Sequence, residues 1–155
     1  MTIEIRIGTK IDIPFSLNLV KELAAYEKAP NEVEVTIEEM TEWGFGADKQ
    51  FDFYVALLDG VIVGMALYYF KYSTWKGKCL FLEDIIVTES QRGKGLGKLL
   101  FDKVVEISKE MKVRRMEWQV LDWNTPAIEF YKKYNSTLDG EWVNCKLINH
   151  QLEKM

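Results

Sequence analysis

Cysteine and histidine are scarce in this sequence: Cys79 and Cys145 lie far apart, and His150 is the only histidine. Neither cysteine falls in a CxxC pair, and the three residues cannot complete a usual zinc site, so no metal is expected. Both cysteines read as free thiols in a reducing compartment. Proline is also scarce, with three in the chain, and no linker, repeat or low-complexity tract interrupts it. One domain over residues 1–155 is therefore expected, long enough to bury a substantial core. No apolar run approaches about 18 residues and no charged-then-apolar leader stands at Met1, which leads to the expectation of a soluble, cytoplasmic protein without a membrane partner. A large charge of one sign is missing too. The net charge of −4 is too mild to argue for a nucleic-acid surface.

What is present is an uneven distribution of charge. Residues 1–60 hold twelve acids against five bases, while residues 71–133 hold thirteen bases against nine acids. Solvated helix faces would explain this; so would a phosphate-bearing ligand that meets a cationic one.

Hydrophobic periodicity supplies the coarse architecture. Ile3–Gly8 alternates and is β-branched, as a first strand would be. Phe15, Leu19, Leu23 and Tyr26 share a helical stripe, widened by Leu17, Val20 and Ala24, and Ala29-Pro30-Asn31 is expected to stop that helix. Thr36-Ile37-Glu38-Glu39 fits a capping box, so a short second helix should run towards Gly44. Phe51–Leu58 and Val61–Tyr72 flank Asp59-Gly60, a strong hairpin signal, and Lys78–Val87 follows as a third strand of a meander. Leu96, Leu99, Leu100, Val104, Ile107 and Met111 mark a long amphipathic helix. Arg115–Leu121 is strand-like, Ala127, Phe130, Tyr131 and Tyr134 trace another helix, and Trp142–Ile148 is expected to close the sheet. The fold class is α/β or α+β with a mixed central sheet.

Three segments carry chemistry. In Arg92-Gly93-Lys94-Gly95-Leu96-Gly97-Lys98, alternate glycines let a backbone turn tightly and approach a ligand, and the following helix offers unpaired N–H groups to phosphate. A Walker A loop fails on Arg92 and Leu99, which stand where Gly and Ser or Thr are needed; a Rossmann fingerprint fails because the spacing is GxGxG. A structural turn without ligand is the plainer alternative. In Leu82-Glu83-Asp84-Ile85-Ile86-Val87, strand alternation sends Glu83 and Asp84 to opposite faces. One carboxylate should then lie half-buried, with its pKa raised towards that of a general base, unless both are solvated acids on an edge strand. In Asp122–Lys132, Asn124 and Thr125 are good caps and Pro126 is preorganised for a first turn. Tyr131 on its own reads as a core aromatic.

Taken together, the R-x-x-G-x-G loop at Arg92, Gly95 and Gly97, between a strand and a helix, resembles motif A of the GNAT acetyltransferase superfamily. Ala25-Tyr26-Glu27, Gly44-Phe45-Gly46, Tyr68-Tyr69-Phe70 and Trp75-Lys76-Gly77 look like the diamine (spermidine/spermine) N-acetyltransferase branch. So do Phe81-Leu82-Glu83-Asp84, Trp123-Asn124 with Pro126, and Phe130-Tyr131-Lys132. The resemblance implies a single GNAT-type α/β domain, with a mixed, mostly antiparallel central sheet flanked by about four helices.

It also implies roles for particular residues. The loop Arg92, Gly93, Lys94, Gly95, Leu96, Gly97 and Lys98 would hold the pyrophosphate of acetyl-CoA, and Ile85, Ile86 and Val87 its pantetheine arm. Asn124, Ala127 and Tyr131 would line the same co-substrate. Glu83 would take the proton of the amine, and Tyr131 would protonate the departing thiolate. Tyr26, Glu27, Glu83, Asp84 and Trp142 would hold a small cationic acceptor. Asn135 stands where a glycine usually follows the last of these helices, and asparagine also tolerates the left-handed turn. The function implied is acetyl transfer from acetyl-CoA to a primary amine of a polyamine or diamine in a ternary complex, by a homodimer. A lysine-like amino acid such as thialysine, a protein or peptide amine, and a non-catalytic CoA-binding sensor are the alternatives.

Overall fold

The alternating, β-branched segment Ile3–Ile7 forms the edge strand β1 and pairs antiparallel with β2, Asp52–Leu58. The Asp59-Gly60 turn has positive φ at both residues, +49° and +80°, the geometry that matches strand twist in a two-residue hairpin. It leads into β3, Val61–Ser73, which turns into β4, Gly77–Val87. The sheet order is β1-β2-β3-β4-β5, antiparallel except for the parallel pairing of β4 with β5, Met116–Glu117. The structure describes residues 1–155, which divide into two compact units, Met1–Gln119 and Val120–Met155. The sheet belongs entirely to the first.

Helix α1, Ile13–Tyr26, and α2, Ile37–Phe45, cover one face of that sheet. Ile13, Leu17, Leu19 and Met40 from the helices pack with Phe53, Val55, Leu57, Met65 and Leu67 from the strands. Helix α3, Leu96–Glu110, covers the other face: a Cβ added to Gly64 would stand 3.3 Å from Leu100 Cδ1. Along β3 from Gly64 onward, odd-numbered side chains therefore look towards α1 and even-numbered ones towards α3, while Ile62, before an irregularity in the β2–β3 pairing, packs on the α1 side. Leu96, Leu100, Phe101, Val104 and Ile107 are the buried stripe of α3, with the Trp118 ring edge-on to Phe101 at 5.2 Å. Each such side chain contributes about 1.5–3 kcal/mol when fully buried.

Several expectations are corrected. Phe15 and Tyr26 are exposed on α1, as are Leu99 on α3 and Met111 at its end; Leu17 and Leu19 are buried as expected, and the stripes also take in Ile13 and Phe101. Pro30 does not stop α1. Lys28 at φ +63° does, with the Ala29 N–H donating to the Ala24 carbonyl and the Lys28 N–H to the Ala25 carbonyl, so the helix closes in a left-handed turn first. Of the strand-like run Arg115–Leu121 only Met116–Glu117 joins the ladder. Trp142–Ile148 forms no strand.

The second unit, taken by itself, holds α4, Thr125–Lys132, and a short terminal helix α5, Asn149–Glu153. Asn135 adopts the left-handed conformation expected of it, at φ +57°. No helix in the chain is long and apolar enough to cross a membrane.

The β1–α1 junction is fixed by Asp12, which is 4% exposed. Both carboxylate oxygens accept from the Arg6 guanidinium, at 2.7 and 3.1 Å, and Thr9 donates its N–H and hydroxyl to Oδ2. The Arg6 hydrogen bond, helped by Thr9, outweighs desolvation and lowers the Asp12 pKa. The stability it contributes is present above the unfolded value of about 3.9 and is lost as pH falls through the folded one. Asp12→Asn should cost about 2 kcal/mol at pH 7, and the gap to the parent should narrow in urea melts at pH 3 and below.

Candidate active site

Strand β4 is paired on both edges only at Leu80 and Phe81; from Leu82 to Val87 it pairs with β3 alone. A strand edge without a ladder partner presents N–H and C=O groups to whatever extended group can meet them. Ile85, Ile86 and Val87, the residues expected to meet a pantetheine arm, lie on this part of the strand, where the Val87 carbonyl already accepts from the Arg92 side chain.

A β-bulge interrupts the same strand. Leu67 pairs with Asp84 and Tyr68 with Leu82, so Glu83 is the extra residue and faces no partner. A bulge breaks the two-residue alternation and re-aims side chains. Glu83 and Asp84 therefore do not go to opposite faces as expected. Asp84 stands opposite Leu67 on the α1 side, and Glu83 accepts a hydrogen bond on that side from the Tyr69 hydroxyl at 3.1 Å. The expectation of one half-buried carboxylate holds, and that carboxylate is Asp84. Burial, then the charges of Glu83 and Glu27, push its pKa up to about 6. Glu83 is exposed.

The left-handed turn at Lys28 leaves Tyr26 and Glu27 at the end of α1. Burial raises the Glu27 pKa as well. Glu27 is close enough to act on Asp84, and none of Glu27, Glu83 and Asp84 is in an ion pair. The Tyr26 ring lies 5.2 Å from the Arg92 guanidinium, whose Nε donates to the Val87 carbonyl at 2.9 Å. Two opposed chain segments are thus joined at Arg92. A second tie is Glu22 on α1, which accepts from the Thr88 hydroxyl and the Glu89 N–H.

The glycine loop then turns as expected. Gly93 and Gly95 have φ of +80° and +81°, and a Cβ at either would meet nothing within 4 Å. Gly95 is the N-cap of α3 and has no side chain to satisfy the helix's first N–H groups. Without a side-chain cap, those donors and the positive end of a 15-residue helix suit an anion such as a pyrophosphate. Leu96, 1% exposed, anchors the first turn. Lys94 pairs with Gln91 and Lys98 with Asp102, so each lysine already has a local partner.

Of the other candidates, Asn124, Ala127, Tyr131 and Trp142 belong to the second unit. The Asn124 side chain caps α4 by accepting from the Ala127 N–H at 3.4 Å. Tyr131 is buried, with the Phe130 ring centroid 5.4 Å away. Trp142 is 74% exposed. Tyr69 was not expected in any role. Its pairing with Phe81 and a bulge two residues further on bring it to Glu83, and a bulge leaves no local signature in the sequence.

The Acetyltransferase (GNAT) family profile matches residues 18–135. Thialysine N-epsilon-acetyltransferase of Bos taurus is 38% identical over 124 residues, covering 75% of this chain and 73% of that protein. Spermidine/spermine N(1)-acetyltransferase-like protein 1 of Homo sapiens is 33% identical over 135 residues, which are 83% of this chain and 19% of that longer protein. Among solved structures, an integron cassette protein from the mobile metagenome of V. cholerae has a TM-score of 0.80 at 21% identity, covering 99% of this chain and 97% of that one. That likeness bears on the fold.

Two outcomes follow from the site's geometry. Gly95→Glu should weaken acetyl-CoA binding roughly tenfold or more in calorimetric titration, because a left-handed residue would acquire a side chain and a negative charge beside the phosphate seat. Strain of about 1–2 kcal/mol should leave the fold intact; unchanged affinity would reduce the loop to a turn. Asp84→Asn should stabilise the ligand-free protein. Because the folded Asp84 pKa is raised, the parent loses stability as pH rises from about 4 through about 6, and the variant should gain on the order of 2 kcal/mol at pH 8 and little at pH 4. Denaturant melts at the two pH values measure this.

Proposed function

The chain belongs to the GNAT acetyltransferase family and is an N-acetyltransferase acting on amines; we propose that its acceptor is a small molecule bearing a primary alkylammonium group. Acetyl-CoA, the donor used by this family, is the proposed co-substrate, and the residues of the loop and of the β4 edge fit it. The observation that carries the reading is the group of carboxylates Glu27, Glu83 and Asp84, gathered without a cation. Burying like charges together is unfavourable unless a partner arrives, and an alkylammonium supplies the missing charge.

A protonated amine is no nucleophile, and with a pKa near that of lysine, about 10.4, almost none is free at neutral pH. In the proposed mechanism Glu27 and Asp84 attract the cation and Glu83 takes its proton. Asn124, Ala127 and the phenol of Tyr131 would serve the donor's thiol end, Tyr131 by protonating the thiolate as it leaves. With both substrates bound together, positioning alone supplies roughly 7–11 kcal/mol, so no enzyme nucleophile is required. Cys79 is buried, its thiol directed to the Gly77 carbonyl.

Two acceptors share the alkylammonium. The identity with thialysine acetyltransferase supports a lysine-like amino acid as the first candidate, and the spermidine/spermine-type relative supports a diamine or polyamine as the second. Trp142 is kept as an acceptor-side candidate. A homodimeric, cytoplasmic enzyme formed as one domain over residues 1–155, with no metal, nucleic acid or membrane as partner, completes the proposal.

A CoA-release assay across thialysine, lysine, putrescine, spermidine, spermine and a basic peptide tests it. Turnover should be greatest with a small alkylammonium, and Glu27→Gln should raise the acceptor KM several-fold with little change in kcat or in the acetyl-CoA KM. Turnover confined to the peptide, or an effect of Glu27→Gln on acetyl-CoA alone, would overturn the assignment.

A further inference from the structure

Glu83 sits where the sheet holds its backbone least firmly. As the extra residue of the bulge it has no cross-strand partner, and its carboxylate is exposed, a poor basis for aiming a general base at one proton. One contact restrains it: the Tyr69 hydroxyl on β3 donates to Oε2 at 3.1 Å. The Tyr69 ring is itself fixed. It is half-buried, and it lies against Phe81, its cross-strand partner, with centroids 5.5 Å apart and planes inclined at 30°. We propose that Tyr69 is a positioning residue for the general base, holding one oxygen of Glu83 so that the other is presented to the acceptor's ammonium group. This rests on the reading of Glu83 as base.

The surroundings determine what that hydrogen bond does chemically. The groups that bear on Glu83 are Tyr69 on β3, Asp84 beside it on β4, and Glu27 at the end of α1, which acts through Asp84. Two of the three are acids, and the phenol is the donor among them, set on one oxygen of the Glu83 carboxylate. Burial, then the Glu83 charge and the hydrogen bond itself, raise the Tyr69 pKa to about 12, so Tyr69 stays a donor across the working range. Asp84, desolvated, receives no hydrogen bond from Tyr69 and is the carboxyl left to carry a proton as pH falls. Glu83 accepts one proton from the ammonium group and leaves a neutral amine with its lone pair free. Tyr69 exchanges no proton in this step.

Tyr69→Phe keeps the ring against Phe81 and deletes the donor. Steady-state rates from pH 5 to 9, with saturating acetyl-CoA and the best acceptor of the panel, should show kcat/KM for the acceptor lowered about three- to tenfold at pH 6.5. The acid limb of the rate profile should move up, because the carboxylate loses the hydrogen bond from Tyr69. The acetyl-CoA KM and the melting temperature should stay at parental values. Glu83→Gln, and the double variant with Tyr69→Phe, complete the experiment; the double variant should be no slower than Glu83→Gln alone, because Tyr69 acts through the carboxylate. If Glu83→Gln is impaired while Tyr69→Phe keeps the parental acid limb, whether or not it melts lower, the positioning role is wrong and the base assignment stands. Losses that multiply in the double variant would also overturn it. Parental activity in Glu83→Gln would instead remove the base assignment, and this role with it.

Discussion

The like charges of Glu27, Glu83 and Asp84 have to be kept together in a partly dry place, and much of the first unit can be read as the means of doing so. Burial lifts Asp84 to about 6, some two units above an ordinary aspartate. Each unit corresponds to about 1.36 kcal/mol, so the ligand-free fold carries a strain of that order at neutral pH. Such a penalty survives only where the surrounding structure over-determines it. Here the sheet ladder holds β4, the left-handed stop at Lys28 sets where α1 delivers Glu27, and Asp12 with Arg6 fixes how α1 leaves β1. A cation entering among the carboxylates would lower Asp84 again and release a proton, which makes acceptor binding and proton release linked events.

Strand β4 and the turn after it carry both halves of the site in a short stretch of chain. The bulge at Glu83 is followed by Val87, where the ladder ends, and by Gly93 and Gly95, where the helix begins. Because β4 is clamped by β3 and Leu96 and Leu100 bury the start of α3, the spacing from the carboxylates to the loop is set by rigid elements. Arg92 adds a cross-tie, bonded to the Val87 carbonyl and stacked on the Tyr26 ring. Glu22, bonded to Thr88 and Glu89, gives α1 a second hold on the same turn.

What could be read from the sequence was what local chemistry decides. The Asp59-Gly60 hairpin, the Thr36 capping box, the left-handed Asn135 and the glycine loop each depend on a few adjacent residues, and each is found as expected. Features set by distant partners were not legible. Pro30 looked like the end of α1, yet helix closure at Lys28 comes first. Phe15 and Leu99 fit helical stripes whose true buried members include Ile13 and Phe101, because the sheet chooses the face. Trp142–Ile148, expected to close the sheet, forms no strand. Strand alternation placed Glu83 and Asp84 on opposite faces, and one unpaired residue undid it. The chemistry of a half-buried acid was anticipated while its owner, Asp84, and the supporting hydroxyl of Tyr69 depended on a register that sequence does not display.

That register also bears on how two adjacent carboxylates divide the work in the proposed reaction. Basicity near the working pH favours Asp84, whose pKa of about 6 is the better matched to a general base. Access favours Glu83, which is exposed and can meet an entering ammonium group directly. Neither property suffices alone: a buried base that the substrate cannot touch is idle, and an exposed carboxylate needs a neighbour to aim it. Neighbouring acids titrate as a pair, so the proton taken up belongs to the couple and not to one member. With Tyr69 donating to one oxygen of Glu83, the other is left for the amine, and the raised proton affinity of Asp84 lies beside it. Removing the basicity and removing the access are then different lesions. The first should change the pH at which the enzyme works, and the second the rate at which it works at any pH.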